Sequence, residues 1–441
     1  MVARARDDTF TIHTDLLFDP GKRAWLKNVS VTVSRSTGLI TKVYTRNGAG
    51  QILLPNSDID LRGLTVLPGL VDAHTHIFLH AYSETPSLNQ MRDESLVERI
   101  LRASNHCRAA LLAGFTTYSD LGTEGAGDAD VHMRDAINRG IIPGPRIFCV
   151  GEALASSGGY EVRIESRSNG VELPRISDPC DGVAGVRAAV RRRLGAGADL
   201  IKFYADCRKR TLRYPASAWP GCADIQFPPA NDMLNSKRNP NLLLFQQDEM
   251  DEIVREARSS RVVVAAHAQS AEAVVMAAKA GVTSIEHGLE SFEGTTAIEN
   301  MVEKGTIWIP TLAVMETAAS RAQMLQILQQ VKSAFDAGVR IGAGGDTGAI
   351  PHGDNARELE LLLQAGLPVE DVLVAATITG WEACGGEWCG RKFGWVEEGV
   401  AADLVGLRGD LRGHFGALRK VDFVMKDARV WKREGVAVGM V

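Results

Sequence analysis

The sequence predicts an α/β protein that combines a TIM barrel with a β-sheet domain assembled from both ends of the chain. Between residues 67 and 393, strand-like apolar runs alternate with helix-like runs in eight successive pairs, the pattern of this barrel. The two flanking segments contain only short strand patterns and turns. A chain of 441 residues is long enough for one large barrel and an accessory domain.

The N-terminal segment is expected to form strands before the barrel begins. Turn-forming residues separate its β-favouring runs, for example around Pro20 and Gly48. An apolar run over residues 64–71 then predicts one long buried strand that opens the barrel. The strands predicted ahead of it cover residues 10–18, 24–33 and 38–44.

The barrel elements follow from the alternation after residue 67. Predicted helices have apolar positions at three- and four-residue steps, and glycine often ends them. Insertions at about 151–180 and 205–245 interrupt the pattern, and long loops of this kind commonly bind substrate. The later strands are predicted over residues 115–119, 146–150, 200–204, 262–266, 283–286, 306–309 and 339–343. The helices are predicted over residues 94–113, 129–139, 183–194, 247–258, 271–280, 295–304, a long region ending at 337, 355–365 and 369–379.

The C-terminal segment returns to β patterns, with a turn and strand over residues 394–407 and two short strands within 420–432. Because β material stands at both ends, we expect one composite sheet domain. The predicted division of the chain is therefore 1–66 and 394–441 for the sheet domain and 67–393 for the barrel.

Composition limits the partners and the compartment. The net charge of -5 and the pI near 6.1 give no reason to expect nucleic acid or an anionic membrane as a partner. No apolar run approaches the roughly 18 residues that cross a bilayer, and no signal peptide is expected at the N-terminus. The seven cysteines are scattered, which favours free thiols in a cytoplasmic protein. Self-association as a homo-oligomer is left open.

Two histidines one residue apart follow the predicted opening strand. Side chains at positions i and i+2 of a strand point to the same side, so His74 and His76 can converge on one ion. Neutral imidazole is the commonest protein ligand for zinc and similar metals. The pair is by itself weak evidence of a metal site.

Other metal-binding side chains fall at the ends of later predicted strands. Lys202 lies in the fourth strand, while His267 and His287 end the fifth and sixth and Asp346 follows the eighth. The carboxyl ends of barrel strands meet at one face, where barrels of this kind place their chemistry. The regular placement therefore predicts a metal site at that face.

The segments around these side chains share a pattern with one enzyme family. They are residues 68–76, 201–202, 265–268, 284–288, 345–347 and 399–407. Together they resemble the amidohydrolase superfamily, in particular its imidazolonepropionase-like and Xaa-Pro or Xaa-Arg dipeptidase branch, which includes fungal ochratoxinase. The resemblance covers nearly the whole chain and implies a distorted (β/α)₈ barrel with a composite β-sandwich.

The resemblance implies two divalent metal ions, with Zn²⁺ expected. His74, His76 and Asp346 would hold the more buried ion, and His267 and His287 the more exposed one. Lys202 would bridge the ions as a carboxylated lysine. An apolar strand lowers the pKa of a lysine, so its neutral amine can take up CO₂. A single-metal site with an ordinary Lys202 amine is left open.

The expected activity is hydrolysis of an amide bond in a small molecule by a metal-activated hydroxide. The substrate classes are a dipeptide, an N-acyl amino acid or an ochratoxin-like amide. Asp346 is the expected proton shuttle between the hydroxide and the leaving amine. Two alternatives are a cyclic amide or amidine ring-opening hydrolase or deaminase on the same site, and a non-catalytic scaffold.

Weaker candidates for substrate contacts lie in the loops. Tyr160 stands in a Gly-Gly-Tyr where many relatives have Gly-Gly-His, which leaves the family role of that position in doubt. Tyr204 ends the predicted fourth strand, and Arg208 and Arg210 follow it; the arginines are candidates to receive a substrate carboxylate. His352 follows the eighth strand and is a further candidate.

Overall fold

A computed structural model describes residues 8–47, 54–157, 159, 173–208, 217–219, 222–227, 241–288 and 290–440 of the chain. These residues form a TIM-barrel-like α/β unit and a β-sheet built from both ends of the chain. The sequence predicted both parts.

The terminal sheet has nine strands in the described residues, and strands from the two ends meet in its middle. Leu404–Leu407 pairs antiparallel with Thr65–Pro68, which in turn lies parallel to Thr9–Asp19. Along the first strand, Phe10 and Ile12 are both buried because alternate residues face the same side. The remaining strands are Ala24–Ser34, Ile40–Thr45, Ile59–Asp60, Val421–Lys426, Arg429–Arg433 and Val436–Ala437.

The apolar run over residues 64–71 is two strands, so the prediction of one long strand is wrong. Thr65–Pro68 belongs to the terminal sheet, whereas Leu70–Thr75 belongs to the barrel. The chain passes from one to the other at Gly69, where a Cβ atom would lie 2.1 Å from the Thr116 hydroxyl. Only glycine fits this passage. The division of the chain at residues 66 and 393 stays a prediction.

Each of the eight predicted barrel positions holds a parallel strand. The strands lie in two sheets, and backbone hydrogen bonds connect the sheet edges. Ala73 N donates to Ala343 O at 2.9 Å on one side, and Asp199 N donates to Cys149 O at 2.8 Å on the other. The strands are Leu70–Thr75, Phe115–Asp120, Arg146–Cys149, Ile201–Tyr204, Val264–Ala268, Ser284–His287, Ile307–Ile309 and Arg340–Ile341.

Short strands also lie in the two predicted insertions. Ala153–Ala155 and Ser177–Pro179 extend the larger barrel sheet at its edge. Two separate hairpin-like pairs lie in the second insertion. Their strands are Asp206–Arg208 with Asn241–Leu243, and Ser217–Trp219 with Cys222–Phe227.

Helices follow the barrel strands, with three differences from the prediction. The helix Ser87–Asp93, ahead of the predicted 94–113 helix, was not predicted. The long region ending at 337 is two helices, because Ser320 caps the second one with its hydroxyl and forms a capping box with Gln323. The region 369–379 is also broken. None of the helices in the described ranges is long and apolar enough to cross a membrane. The α-helices are Ser87–Asp93, Leu96–Leu112, Ala129–Asn138, Gly182–Ala196, Gln247–Ser259, Ala271–Ala280, Ala297–Lys304, Leu312–Ala318, Arg321–Asp336, Ala356–Gln364, Val369–Ala375 and Ile378–Ala383.

Candidate metal centre

The first barrel strand directs two histidines towards one carboxylate. His74 and His76 are both buried, and their Nε2 atoms lie 3.6 and 3.3 Å from Asp346 Oδ1. The two rings are 5.4 Å apart. The i and i+2 spacing therefore brings the imidazoles to the same place, as the sequence predicted.

The other ring nitrogen of each histidine is held by an acceptor. His76 Nδ1 donates to Gly122 O at 2.8 Å, and His74 Nδ1 lies 2.7 Å from Glu286 Oε2. A carbonyl can only accept, so Nδ1 of His76 carries the proton and Nε2 has its lone pair available. Such contacts fix the ring and tautomer of metal-binding histidines. Burial also lowers the pKa of His74, which keeps its ring neutral.

His267 and His287 come from neighbouring strands and face each other. Their ring centroids are 4.6 Å apart, and His287 Nδ1 lies 2.9 Å from the Thr311 hydroxyl. His267 lies inside Val264–Ala268 rather than after its end. His287 has a φ of 72°, a conformation that costs free energy outside glycine and is concentrated at functional sites.

Lys202 is the clearest sign that the site is built for a further group. Its side chain is buried, and among the described residues its Nζ has no hydrogen-bond partner. Burial lowers its pKa to about 8, so a substantial neutral fraction exists near neutral pH. An unpaired buried amine is costly. A carboxylated amine that ligates metal would remove this cost, so the residue fits the predicted group.

Asp346 completes the cluster from the loop after the eighth strand. It has a φ of 56°, and burial raises the pKa of its carboxyl. His74, His287 and Asp346 each offer one ligand atom, and these atoms lie within 4.8 Å of one another. Imidazole and carboxylate donors at this spacing suit a divalent transition metal.

Comparison with known proteins identifies the family. A sequence model of the amidohydrolase family matches residues 65–431. The chain belongs to this family. Ochratoxinase from Aspergillus niger is 27% identical over 474 aligned residues, which cover 99% of this chain and 89% of that protein.

Solved structures agree with the family assignment. A Xaa-Pro dipeptidase with bound methionine in its active site superposes with a TM-score of 0.76 at 28% identity, over 96% of this chain and 100% of that one. A prolidase complexed with N-methylphosphonate-L-proline gives a TM-score of 0.74 at 25% identity, over 96% and 100%. This amidohydrolase is therefore a hydrolase whose specific substrate the comparisons leave open.

A buried network that the sequence analysis missed ties the first strand to the Asp346 loop. The Asp72 carboxylate accepts from the Thr347 hydroxyl at 2.7 Å and from Asn355 Nδ2 at 2.6 Å. It also accepts from the backbone N–H groups of His74 and Gly345. Asp72 stands beside the histidine motif in the sequence, but no spacing rule indicates a partner 275 residues away. Glu286, which holds His74, was missed for the same reason.

The side chains that could bind metal line a cavity of about 250 Å³ at the carboxyl ends of the strands. They are His74, His76, Lys202, His267, His287 and Asp346. Tyr204 also lines the cavity, and its hydroxyl donates to Glu124 Oε1 at 3.0 Å. Met91 and Met315 contribute apolar walls. The volume of the cavity suits a ligand smaller than the drug-sized molecules whose pockets measure roughly 300–1,000 Å³.

The other candidate substrate contacts do not line the cavity in the described part of the structure. His352 stacks on His106 at 4.2 Å, and its Nε2 contacts Leu79 O at 3.1 Å, which places it outside the cavity lining. Arg208 ends a short strand, Asp206–Arg208, and its side chain is outside the described part. Tyr160 and Arg210 lie outside the described residues. Substrate contacts by these residues stay predictions.

Replacing Gly344 by alanine should destabilise the protein and disturb the metal centre. A Cβ atom there would lie 2.7 Å from the backbone N of His74, and backbone cannot move aside as a flexible side chain would. Overpacking of this kind costs about 1–3 kcal/mol. Gly195→Ala is the matched control, because nothing lies within 4 Å of its added Cβ. It should stabilise the protein by roughly 0.4–1 kcal/mol. Denaturant midpoints measure both, and equal stabilities would contradict the prediction.

Removing either histidine of the second pair should remove metal but leave the fold intact. His267→Ala and His287→Ala each delete one ligand from a buried polar cluster, so activity and metal content should fall together while the circular dichroism spectrum is retained. His414→Ala, at an exposed position in the C-terminal segment, is the control and should keep its metal. Unchanged metal content in both site variants would count against the assignment.

Proposed function

We propose that this amidohydrolase is a metal-dependent enzyme that cleaves a carbon–nitrogen amide bond of a small molecule. The observation that carries the proposal is the convergence of four histidines, Asp346 and the unpaired Lys202 amine on one cavity. A metal site explains this cluster better than a packed core does, since a buried Lys202 amine without a hydrogen-bond partner in the described residues is costly.

The proposed substrates are a dipeptide, an N-acyl amino acid or an ochratoxin-like amide. Similar structures include a Xaa-Pro dipeptidase with bound methionine and a prolidase complexed with N-methylphosphonate-L-proline. The similar sequence from Aspergillus niger is an ochratoxinase. The cavity of about 250 Å³ supports a substrate at the small end of these classes.

Two divalent ions, with Zn²⁺ expected, would be held by the residues of the cluster. His74, His76 and Asp346 would hold one, and His267 and His287 the other, with carboxylated Lys202 between them. When bound, such ions supply an activated water and polarise the substrate carbonyl.

The protein's own groups position the reaction and move the proton. Glu286 and Gly122 O hold the rings of His74 and His76, so that both Nε2 atoms stay directed at the site. Asp346 then takes the proton of the attacking water on a carboxylate oxygen and passes it to the leaving amine nitrogen. The Asp72 network keeps the Asp346 loop in register with the first strand.

We also propose the finer points of architecture and location. The hydrogen bonds at the sheet edges support a closed, distorted (β/α)₈ barrel, and the composite terminal sheet supports a β-sandwich domain over residues 1–66 and 394–441. The scattered cysteines support a cytoplasmic location.

A substrate panel tests the proposed function. Purified protein with measured metal content is incubated with dipeptides, N-acyl amino acids and cyclic amides, and released products are identified by mass. We expect hydrolysis of at least one linear amide, abolished by a chelator and restored by Zn²⁺. Turnover that survives complete removal of metal would overturn metal dependence. Ring opening alone would overturn the substrate class.

A further inference from the structure

Glu124 places a second carboxylate in the cavity, in addition to that of Asp346 and beside the histidine cluster. It follows the second barrel strand, Phe115–Asp120, and its side chain lines the cavity wall. Its φ of 49° lies in the left-handed region, which costs free energy for any residue other than glycine or asparagine. The surrounding structure therefore enforces this position.

A buried arginine holds the backbone of this loop. Arg99 is 2% exposed, and its Nη2 donates to Thr123 O at 3.1 Å and to Glu124 O at 2.8 Å. Because the guanidinium binds the carbonyl oxygens, it does not neutralise the Glu124 carboxylate directly. The clamp fixes the main chain and leaves the carboxylate facing the cavity.

The Glu124 carboxylate forms no ion pair within the described ranges, although the buried Arg99 guanidinium attracts it through space. Its one hydrogen bond there comes from the Tyr204 hydroxyl, which contacts Oε1 at 3.0 Å. The negative charge of Glu124 nevertheless acts on the cluster: it partly opposes the lowering of the Lys202 pKa by burial and adds to the burial that raises the pKa of Asp346. Glu124 does not belong to the group formed by His74, His287 and Asp346, whose ligand atoms lie within 4.8 Å of one another.

The carboxylate lies close to the reacting centre. A Cβ atom built on Gly122 would be 3.7 Å from Glu124 Oε1 and 3.7 Å from Cε1 of His76. The side chains of Glu124 and His76 therefore both lie beside Gly122. Glu124 Oε1 and His76 Cε1 are thus no farther apart than the sum of these two distances, a span that an ammonium bound to Glu124 and the adjacent carbonyl can bridge.

We propose that Glu124 binds the protonated α-amine of the acyl half of the substrate and so selects aminoacyl amides, such as dipeptides, over N-acylated amides. This inference rests on the proposed amide hydrolysis. A substrate that fills the cavity displaces water from the carboxylate, and an anion without water needs a cationic partner. A free ammonium supplies that partner, whereas an N-acyl nitrogen is uncharged.

The test compares one dipeptide with its N-acetylated form in the metal-loaded protein. Wild type should favour the free dipeptide in kcat/KM. Glu124→Gln, which keeps the shape and removes the charge, should lower kcat/KM for the free dipeptide by about 10- to 100-fold, the worth of a charge-assisted hydrogen bond. Its kcat/KM for the acetylated dipeptide should change by less than about threefold. Glu98→Gln, on an exposed helix face, is the charge-matched control and should retain the wild-type preference.

A binding measurement keeps this inference separate from the proposed function. Thermal shifts of the metal-loaded protein are recorded with methionine and with N-acetylmethionine, for wild type and Glu124→Gln. Stabilisation by methionine that the variant loses supports the inference even if the panel reveals no amide hydrolysis, a result that would overturn only the proposed function. Equal kcat/KM losses for both dipeptides, unchanged selectivity, or loss of metal from Glu124→Gln would overturn the role of Glu124 in binding the amine.

Discussion

Asp346→Asn is expected to lower turnover by ~10²–10⁴-fold while the protein keeps metal and binds substrate. This is the usual contribution of a positioned acid–base group. Asparagine keeps the shape of aspartate and offers one oxygen as a ligand, but its amide cannot accept and return a proton. The loss should therefore appear in kcat rather than in KM.

Among the carboxylates of the described residues, Asp346 is the one that contacts both His74 and His76. Its Oδ1 lies 3.3 Å from His76 Nε2 and 3.6 Å from His74 Nε2, so the carboxylate stands at the centre of the cluster. His352, a candidate substrate contact from the sequence, is stacked on His106 outside the cavity lining. No other carboxylate in the described part of the chain has a comparable position relative to both histidines.

The experiment measures kcat, KM and metal content of the same preparation. Asp336→Asn, an exposed residue paired with Lys332, is the control and should behave as wild type. Near-normal turnover in fully metallated Asp346→Asn would remove Asp346 from the proton transfer. Loss of all metal would instead show that its contribution as a ligand outweighs its acid–base role.

Lys202→Ala is expected to reduce activity to a trace, because it removes the group that would bridge the two ions. Short carboxylates such as acetate should restore part of the activity by entering the space left by the side chain. A carbamate and a carboxylate offer the same pair of oxygen ligands, which is the physical basis of the rescue.

A second buried lysine provides a matched control. Burial lowers the pKa of both Lys202 and Lys426 to about 8. Lys426 differs because its Nζ donates to Gly144 O at 2.8 Å, so its amine is already paired. Lys426→Met should cost stability and leave metal content unchanged. A metal-loaded, fully active Lys202→Ala protein would show that the site does not depend on a bridge.

Local patterns were sufficient for most of the fold. Strand and helix periodicities located seven of the eight barrel strands, and the turn-rich ends predicted a sheet from both termini, because these signals depend on residues close in sequence. The prediction was wrong where contacts between residues distant in sequence set the ends of an element. The run over residues 64–71 is continuous in hydropathy, yet it divides at Gly69 because Thr116 and the terminal sheet leave no room for a side chain.

The sequence by itself determined which residue types stand at the carboxyl ends of the strands, and so it named the histidines, Lys202 and Asp346 as one site. Only the tertiary structure decided what holds and surrounds them. The contacts of Asp72 with Thr347 and of His74 with Glu286 join residues more than 200 positions apart. Glu124 lines the cavity because a clamped loop turns it inward. The packing of the folded chain brings these residues together, and their positions in the sequence follow no regular spacing that a pattern could reveal.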